Sequence, residues 1–348
     1  MGHQVTLVGN GHSFRNYPRD IDIRRGKGPL AGIFHYLRLC KLMPKFKGYD
    51  IVQLINPDCF GLKAEREYVF YRYLRKHNKK MVVGAFGLDW YWVDDGLNHR
   101  TFRYGDFYIG DKMRKDAATQ LLVREFVNTP KGDYTKYVMQ DADMIPTCLY
   151  EYQASYSHYF PQKTHYIPLP MTTEHDVPVH HYENGCIRFF IGIDHKRNVY
   201  KGTDIMFNAL IKIKERYPEH CDIVKVESMP FAEYSRTMES CDVMLDQLYS
   251  YTPSMNSLLA MSKGIVVVGG GEPENYEILH EKKLRPIINV EPTYESVYNQ
   301  LEWIILHPKE LDRLKAESIA YVKKHHDYRK VAKQYVAMYE ALLQSASR

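Results

Sequence analysis

The stretch Phe189-Phe190-Ile191-Gly192-Ile193-Asp194-His195-Lys196-Arg197-Asn198-Val199-Tyr200-Lys201-Gly202-Thr203-Asp204 decides the fold. A short apolar run ends at Gly192, a basic loop follows, and an amphipathic helical pattern opens at Thr203. Strand, loop and helix in that order make the unit of a parallel α/β sheet, whose ligands collect at the carboxyl ends of the strands. Arg197 and Lys201 therefore stand where a phosphate or pyrophosphate binds, beside a helix N-terminus. An Arg clamps two oxygens while a Lys supplies a point charge. A solvated basic loop, with Thr203 as a plain N-cap, is the other reading of the same residues.

Two more loops follow the same grammar. Asp242-Val243-Met244-Leu245-Asp246-Gln247-Leu248 is a strand ending in a carboxylate, and the polar loop after it opens a helix near Ser254. Free N–H groups there, helped by Ser254 and Asn256, suit an anion. The next strand runs into Gly269-Gly270-Gly271-Glu272-Pro273-Glu274. Its glycines permit close backbone approach, and its two carboxylates can hold sugar hydroxyls. Three loops at one end of one sheet point to a site more strongly than any one of them.

Outward from this block the pattern alternates. Strands are expected over 5–8, 51–55, 80–83, 107–109 and 144–147, with helices over 32–42, 64–77 and 112–126. Pro168-Leu169-Pro170 starts a polar stretch to residue 184 that reads as an interdomain linker. The second series places strands at 187–191, 222–226, 243–246 and 265–268. Its helices are expected over 203–217, 231–241, 254–262, 294–306, 308–325 and 327–344. The fold class is α/β, with two Rossmann-like doubly wound domains and a cleft between them. At 348 residues and 45% hydrophobic composition, each domain can bury its own core. The start is odd. Gly2-His3-Gln4-Val5-Thr6-Leu7-Val8 reads as the second strand of a βα series with its first unit missing, or as strand one with Gly9-Asn10-Gly11-His12 as its loop.

Charge is shared unevenly. Residues 1–170 hold 25 Lys+Arg and 17 Asp+Glu, a net of +8, against 22 and 25 in the remainder, a net of −3. The basic face of the first half, with Arg24, Arg25, Lys27, Lys41, Lys45 and Lys47, attracts a membrane surface, a phosphorylated lipid or an acidic acceptor, or is simply solvated. No nucleic-acid motif accompanies the charge. No apolar run approaches the ~20 residues that span a bilayer. Met1-Gly2-His3-Gln4-Val5 has no signal-peptide pattern. The six scattered cysteines, without a C-x-x-C pair, argue for reduced thiols in a cytoplasmic protein. The sixteen histidines form neither a helical His-x3-His pair nor H-E-x-x-H, so no metal is implied.

The second half resembles GT-B glycosyltransferases, in particular the retaining family 4 (group 1) enzymes that use a nucleotide-sugar donor. Lys201-Gly202 resembles the family's K-G at its first C-domain helix, and Arg197 is the nearest match to the Arg that joins that Lys on the donor diphosphate. Residues 246–264 resemble the block D-Q-L, polar loop, E-A-M-A-x-G, and 269–274 resemble the glycine loop with P-E. Gly2-His3-Gln4-Val5 resembles the family's G-H-x-V at its second strand. The family's E-x7-E carboxylates fall here on Tyr251 and Leu259, so Asp246, Glu272 and Glu274 stand as substitutes for holding the donor sugar or ribose. The resemblance divides the chain into an acceptor-side domain over 1–170, a donor domain over 171–330, and a last helix over 331–348 crossing back to the first.

In the first half, Val82-Val83-Gly84-Ala85-Phe86-Gly87-Leu88-Asp89-Trp90-Tyr91-Trp92 is a strand, a glycine loop, an acid and aromatics. The family puts acceptor-side polar groups after this strand, which makes Asp89 the catalytic candidate. Trp90 and Trp92 suit either sugar stacking or core packing. Asn56-Pro57-Asp58 ends a neighbouring strand. The function implied is transfer of a sugar from a nucleotide-diphosphate sugar, as substrate and without a cofactor, to a glycan or lipid-linked acceptor in surface polysaccharide assembly. The enzyme would sit in the cytoplasm, with peripheral contact to the inner face of the membrane. A non-catalytic nucleotide- or glycan-binding protein is the rival reading, favoured by Tyr251 and Leu259.

Overall fold

In the second half, the run Ile187–Ile193 is buried along almost its whole length. A strand covered on both faces belongs inside a parallel sheet. The sheet order is Cys221–Glu227, Ile187–Ile193, Val243–Leu245, Val266–Gly269, Ile288–Asn289, every pair parallel. Alternation along the strands fills two cores. Phe189 and Ile191 meet Met206 and Leu210 of the helix Thr203–Arg216 and Leu301 of Tyr294–Leu306. Phe190, Met244 and Val267 meet Leu258, Met261 and Tyr321 on the other face. Each such side chain contributes on the order of 1.5–3 kcal/mol by leaving water. The computed structural model describes residues 2–11, 17–173, 185–195, 197–227 and 229–345. His12, Lys196 and most of the expected linker (174–184) lie outside the described residues.

The first half repeats the plan. Ile51–Leu54 pairs with Lys80–Val83 and Ile145–Thr147 with Thr164–Tyr166, all parallel, and the bridges Val82↔Met144 and Ala85↔Thr147 join the two pairs. The chain passes between the halves twice, side by side: Met171 N–H donates to His326 O, and Tyr328 N–H to Met171 O. Asp327 then caps the last helix, Tyr328–Gln344, by accepting from the N–H groups of Arg329 and Lys330. Val331, Met338 and Leu342 of that helix pack against Val82 and Ile167, so it does cross back to the first sheet.

The first half also departs from expectation. Residues 5–8 are not a core strand; only Val8–Gly9 pairs, with Ile21–Asp22, and Val5 and Leu7 are exposed. The segment is held by polar contacts instead, with Leu7 N–H donating to the Asp20 carboxylate at 2.7 Å. The strand expected over 107–109 is one arm of a hairpin, Tyr108–Ile109 against Lys112–Met113, outside the sheet. The following helix starts at Ala117 rather than 112, because Asp116 caps it through Thr119 N–H. Three helices are additional: Trp90–Asp94 running into a π-helical turn Asp95–His99, Pro130–Asp141, and Tyr150–Tyr159.

Under the first sheet, Glu67 is 1% exposed and accepts from Leu62 N–H at 2.9 Å. Burial pushes its carboxyl up from 4.5 to about 8, against the Leu62 bond. The folded chain therefore holds a proton that the unfolded chain releases near pH 4.5. The associated stability is full below that pH, declines by about 1.4 kcal/mol per pH unit, and is gone above pH 8. Urea titrations at pH 5.5 and 8 should show this decline in the wild type and a flatter profile in Glu67→Gln. Parallel profiles would exclude a protonated Glu67.

Candidate functional site

The turn into the helix Thr203–Arg216 needs Gly202. Its φ is +73°, and an added Cβ would lie 2.6 Å from Leu248 Cβ. Leu248 N–H donates to Lys201 O at 2.8 Å, so two loops of the second sheet lock together at its carboxyl edge. Opposite them lies a strap from the first half, residues 100–116. Between the two is a cavity of about 300 Å³, at the lower end of the usual size for ligand pockets. Arg197, Lys201, Tyr249, Tyr251 and Ser254 line it from one side and Trp92, Tyr104, Asp106 and Glu151 from the other.

Among the described residues, no hydrogen bond or ion pair engages the Lys201 ammonium. Arg197 lies over the Tyr200 ring at 5.5 Å and lines the same wall. Ser254 occupies the N-cap position of the helix Met255–Ser262 without a side-chain cap bond, at the cavity edge. Positive charge, a cap hydroxyl and a helix N-terminus thus converge on one space.

No family model and no curated protein sequence matches the chain. Solved structures do. It is similar to sucrose-phosphate synthase from Thermosynechococcus elongatus, with a TM-score of 0.60, 12% identity, and 92% of this chain and 83% of that chain covered. It is similar to HepE from Anabaena in complex with UDP-glucose, at 0.57 and 10%, with coverage of 91% and 85%. S. aureus TarM in complex with UDP, alpha-GlcNAc-glycerol and fondaparinux gives 0.59 and 7%, with coverage of 88% and 59%. The fold is GT-B.

In this GT-B frame the expected residues separate. Arg197, Lys201 and Ser254 share the cavity. Asn256 is the second residue of the Ser254 helix, outside the lining. Asp246 is buried behind the wall and accepts from the Ser257 hydroxyl, tying the strand end to that helix. Glu272 and Glu274 are spoken for by the strap. Arg103 donates to both, Tyr104 OH donates to Glu272 at 2.5 Å, and Asn289 adds a bond at 2.9 Å. Asp89 is 1% exposed and faces inward, capping Trp90–Asp94 through Trp92 N–H. Burial pushes its carboxyl up to about 6, against the bond from Trp92 N–H. Trp90 packs among Tyr91, Tyr159 and Lys136, whereas Trp92 reaches the cavity wall. Asp58 is paired with Lys131 at 2.7 Å, away from this space.

The residues that the sequence reading missed come from the first half. Glu151, buried, accepts from the N–H groups of Tyr251 and Thr252 and from the Thr252 and Ser250 hydroxyls. Arg114 donates to the carbonyls of Val199 and Tyr200, at 3.1 and 3.0 Å, and stacks over Tyr249 at 4.1 Å. Asp106 accepts from Trp92 Nε1–H at 3.0 Å, with the Tyr200 hydroxyl of the second half near it. Burial pushes its carboxyl above the ordinary range, against the influence of those two groups. The dense aromatic run Phe102-Arg103-Tyr104-Gly105-Asp106-Phe107-Tyr108 was the available signal, since charges set between aromatics seldom belong to a plain strand.

Proposed function

We propose that this chain is a glycosyltransferase, transferring a sugar with retention from a nucleoside-diphosphate sugar to a glycan or lipid-linked acceptor in surface polysaccharide assembly. The observation that carries the reading is the Lys201 ammonium, without a hydrogen bond or ion pair among the described residues, beside Arg197 in the interdomain cavity. Cations beside a helix N-terminus suit the diphosphate, and they stabilise the negative charge that develops on it as it leaves. The departing phosphate assists the incoming hydroxyl, so no protein nucleophile is required. The UDP, UDP-glucose and alpha-GlcNAc-glycerol bound by HepE and TarM support a UDP-sugar donor. Ser254 belongs to the diphosphate site in this reading. Glu272 and Glu274 become available to the sugar or ribose when the strap lifts, Asp246 when it releases the Ser257 hydroxyl, and Asp89 supports the acceptor side from within.

A thermal-shift screen with UDP, GDP, ADP, CMP and their sugar conjugates tests the reading. A ligand at 100 times its Kd stabilises by about 2.7 kcal/mol, a shift of several degrees. No shift with any nucleotide would reject it. Tyr251 and Leu259, in place of the family's carboxylates, favour a second reading as a non-catalytic binder; donor hydrolysis without acceptor separates the two.

Peripheral membrane contact has its own support. The helix Ala31–Leu42 and the residue before it expose Leu30, Ile33, Phe34 and Leu37, spaced i, i+3, i+4, i+7 along one face. Exposed Arg25, Lys27, Lys41, Lys45 and Lys47 flank it. Apolar anchors with a basic rim match an anionic lipid surface. The protein should co-sediment with phosphatidylglycerol vesicles at low salt, and the double variant Phe34→Glu, Leu37→Glu should stay in the supernatant. Equal sedimentation of the two would refute the contact.

A further inference from the structure

We propose that Asp106 is the carboxylate facing the transferred sugar, where it steadies the positive charge that grows on the sugar ring as the diphosphate departs. The inference rests on the glycosyltransferase reading above and assigns the negative partner that reading lacks. Two acids line the cavity, Asp106 and Glu151. Glu151 is used up by four donors of the loop 250–252. Glu272 and Glu274 are clamped by Arg103. Of the two acids that line the cavity, Asp106 is the one not saturated by donors, and no cation is bonded to it among the described residues.

Its place is fixed from both halves. Trp92 bonds it from the first half, and Tyr200, beside Lys201, faces it from the second. Thr119 Oγ1 bonds its backbone carbonyl at 2.7 Å. The Trp92 and Tyr200 side chains beside it are neutral, so neither cancels the charge of the ionised carboxylate. The Trp92 bond takes one of its roughly four acceptor positions, which leaves room for a sugar hydroxyl or the ring itself. Arg197 lies close enough to act on it electrostatically, so the anion and the diphosphate cations flank one space.

The bond changes leave Asp106 unaltered. The bond from the anomeric carbon to the diphosphate oxygen breaks, and its electron pair goes to the phosphate. The acceptor oxygen forms the new bond to that carbon, and its proton passes to the departing phosphate. Between those events the ring carries cationic character, which a fixed carboxylate in a partly desolvated site stabilises more than water does. The same charge opposes the diphosphate in the ground state, so Asp106 acts on turnover rather than on nucleotide affinity.

The test compares Asp106→Asn and Asp106→Glu with the wild type, using the nucleotide and nucleotide sugar found by the thermal-shift screen. The Asn variant should lose about 100-fold in kcat while its Kd for the nucleoside diphosphate stays within threefold or tightens. The Glu variant, which restores the charge, should recover part of the kcat. A kcat for the Asn variant within threefold of wild type overturns the inference and leaves the transferase reading standing. Nucleotide affinity lost along with kcat in both variants also overturns it, because that marks a structural role. A wild type that binds nucleotide but never turns over a nucleotide sugar removes the transferase reading and this inference together.

Discussion

Lys201→Ala abolishes most of the thermal stabilisation by a nucleoside diphosphate and leaves the melting temperature of the free protein unchanged. Both halves of this expectation follow from one fact, that the ammonium bonds to nothing among the described residues. Truncation therefore removes no hydrogen bond or ion pair among the described residues. It does remove a charge-assisted contact to phosphate, worth about 1.5–3 kcal/mol, or roughly 10- to 100-fold in Kd. At a ligand concentration giving about 2.7 kcal/mol in the wild type, a 100-fold loss leaves only about 0.4 kcal/mol. Several degrees of shift become about one. Lys201→Arg keeps the charge but changes its geometry and should fall between. An unchanged ligand shift in the alanine variant would take Lys201 out of the site.

The cations of the cleft divide by what they hold. Arg103 and Arg114 are committed to joining the halves, one through Glu272 and Glu274, the other through the carbonyls of Val199 and Tyr200. Those carbonyls belong to the turn that carries Lys201. The strap of the first half thus sets the turn of the second that carries Lys201.

The second half is legible because its chemistry is local. A strand buried on both faces is a continuous apolar run, and a loop beside a helix N-terminus declares itself within a dozen residues. Lys201-Gly202 is such a signal, since the glycine's positive φ and its approach to Leu248 allow no side chain. The first half conceals its elements. The helix Tyr150–Tyr159 buries Glu151, Ser155 and Tyr156, so no apolar stripe marks it. Asp89 looked functional beside its aromatics, yet its spacing to Trp92 is that of an N-cap. Arg103 meets Glu272 across 169 positions, a partnership that no periodicity encodes. Tyr251 stands where a donor-site carboxylate is expected, and in space a carboxylate does reach that loop, from Glu151, 100 residues earlier.

That contact supports the second large effect. Glu151→Ala should lower stability by about 2–4 kcal/mol and weaken nucleotide binding at the same time. Glu151 accepts from Tyr251 N–H at 2.8 Å, Thr252 N–H at 3.2 Å, Thr252 Oγ1 at 2.6 Å and Ser250 Oγ at 3.2 Å. Ser250 retains the Thr252 carbonyl as a second partner, and the Thr252 hydroxyl can rotate. The two amides cannot, and each buried donor left unpaired costs about 1–3 kcal/mol. Glu151→Gln keeps one carbonyl oxygen for those amides and should lose about half as much. The ligand effect follows from position, because the loop 250–252 leads directly to Ser254 and the helix N-terminus at the cavity. Freed of Glu151, that loop must be ordered again by the nucleotide, which subtracts from the affinity. Urea unfolding of the three proteins, with and without nucleoside diphosphate, reads both effects. An alanine variant within 1 kcal/mol of wild type would mean that water from the adjacent cavity takes over the amides, and that the loop is held by its aromatic contacts to Phe102, Tyr104 and Tyr150 instead.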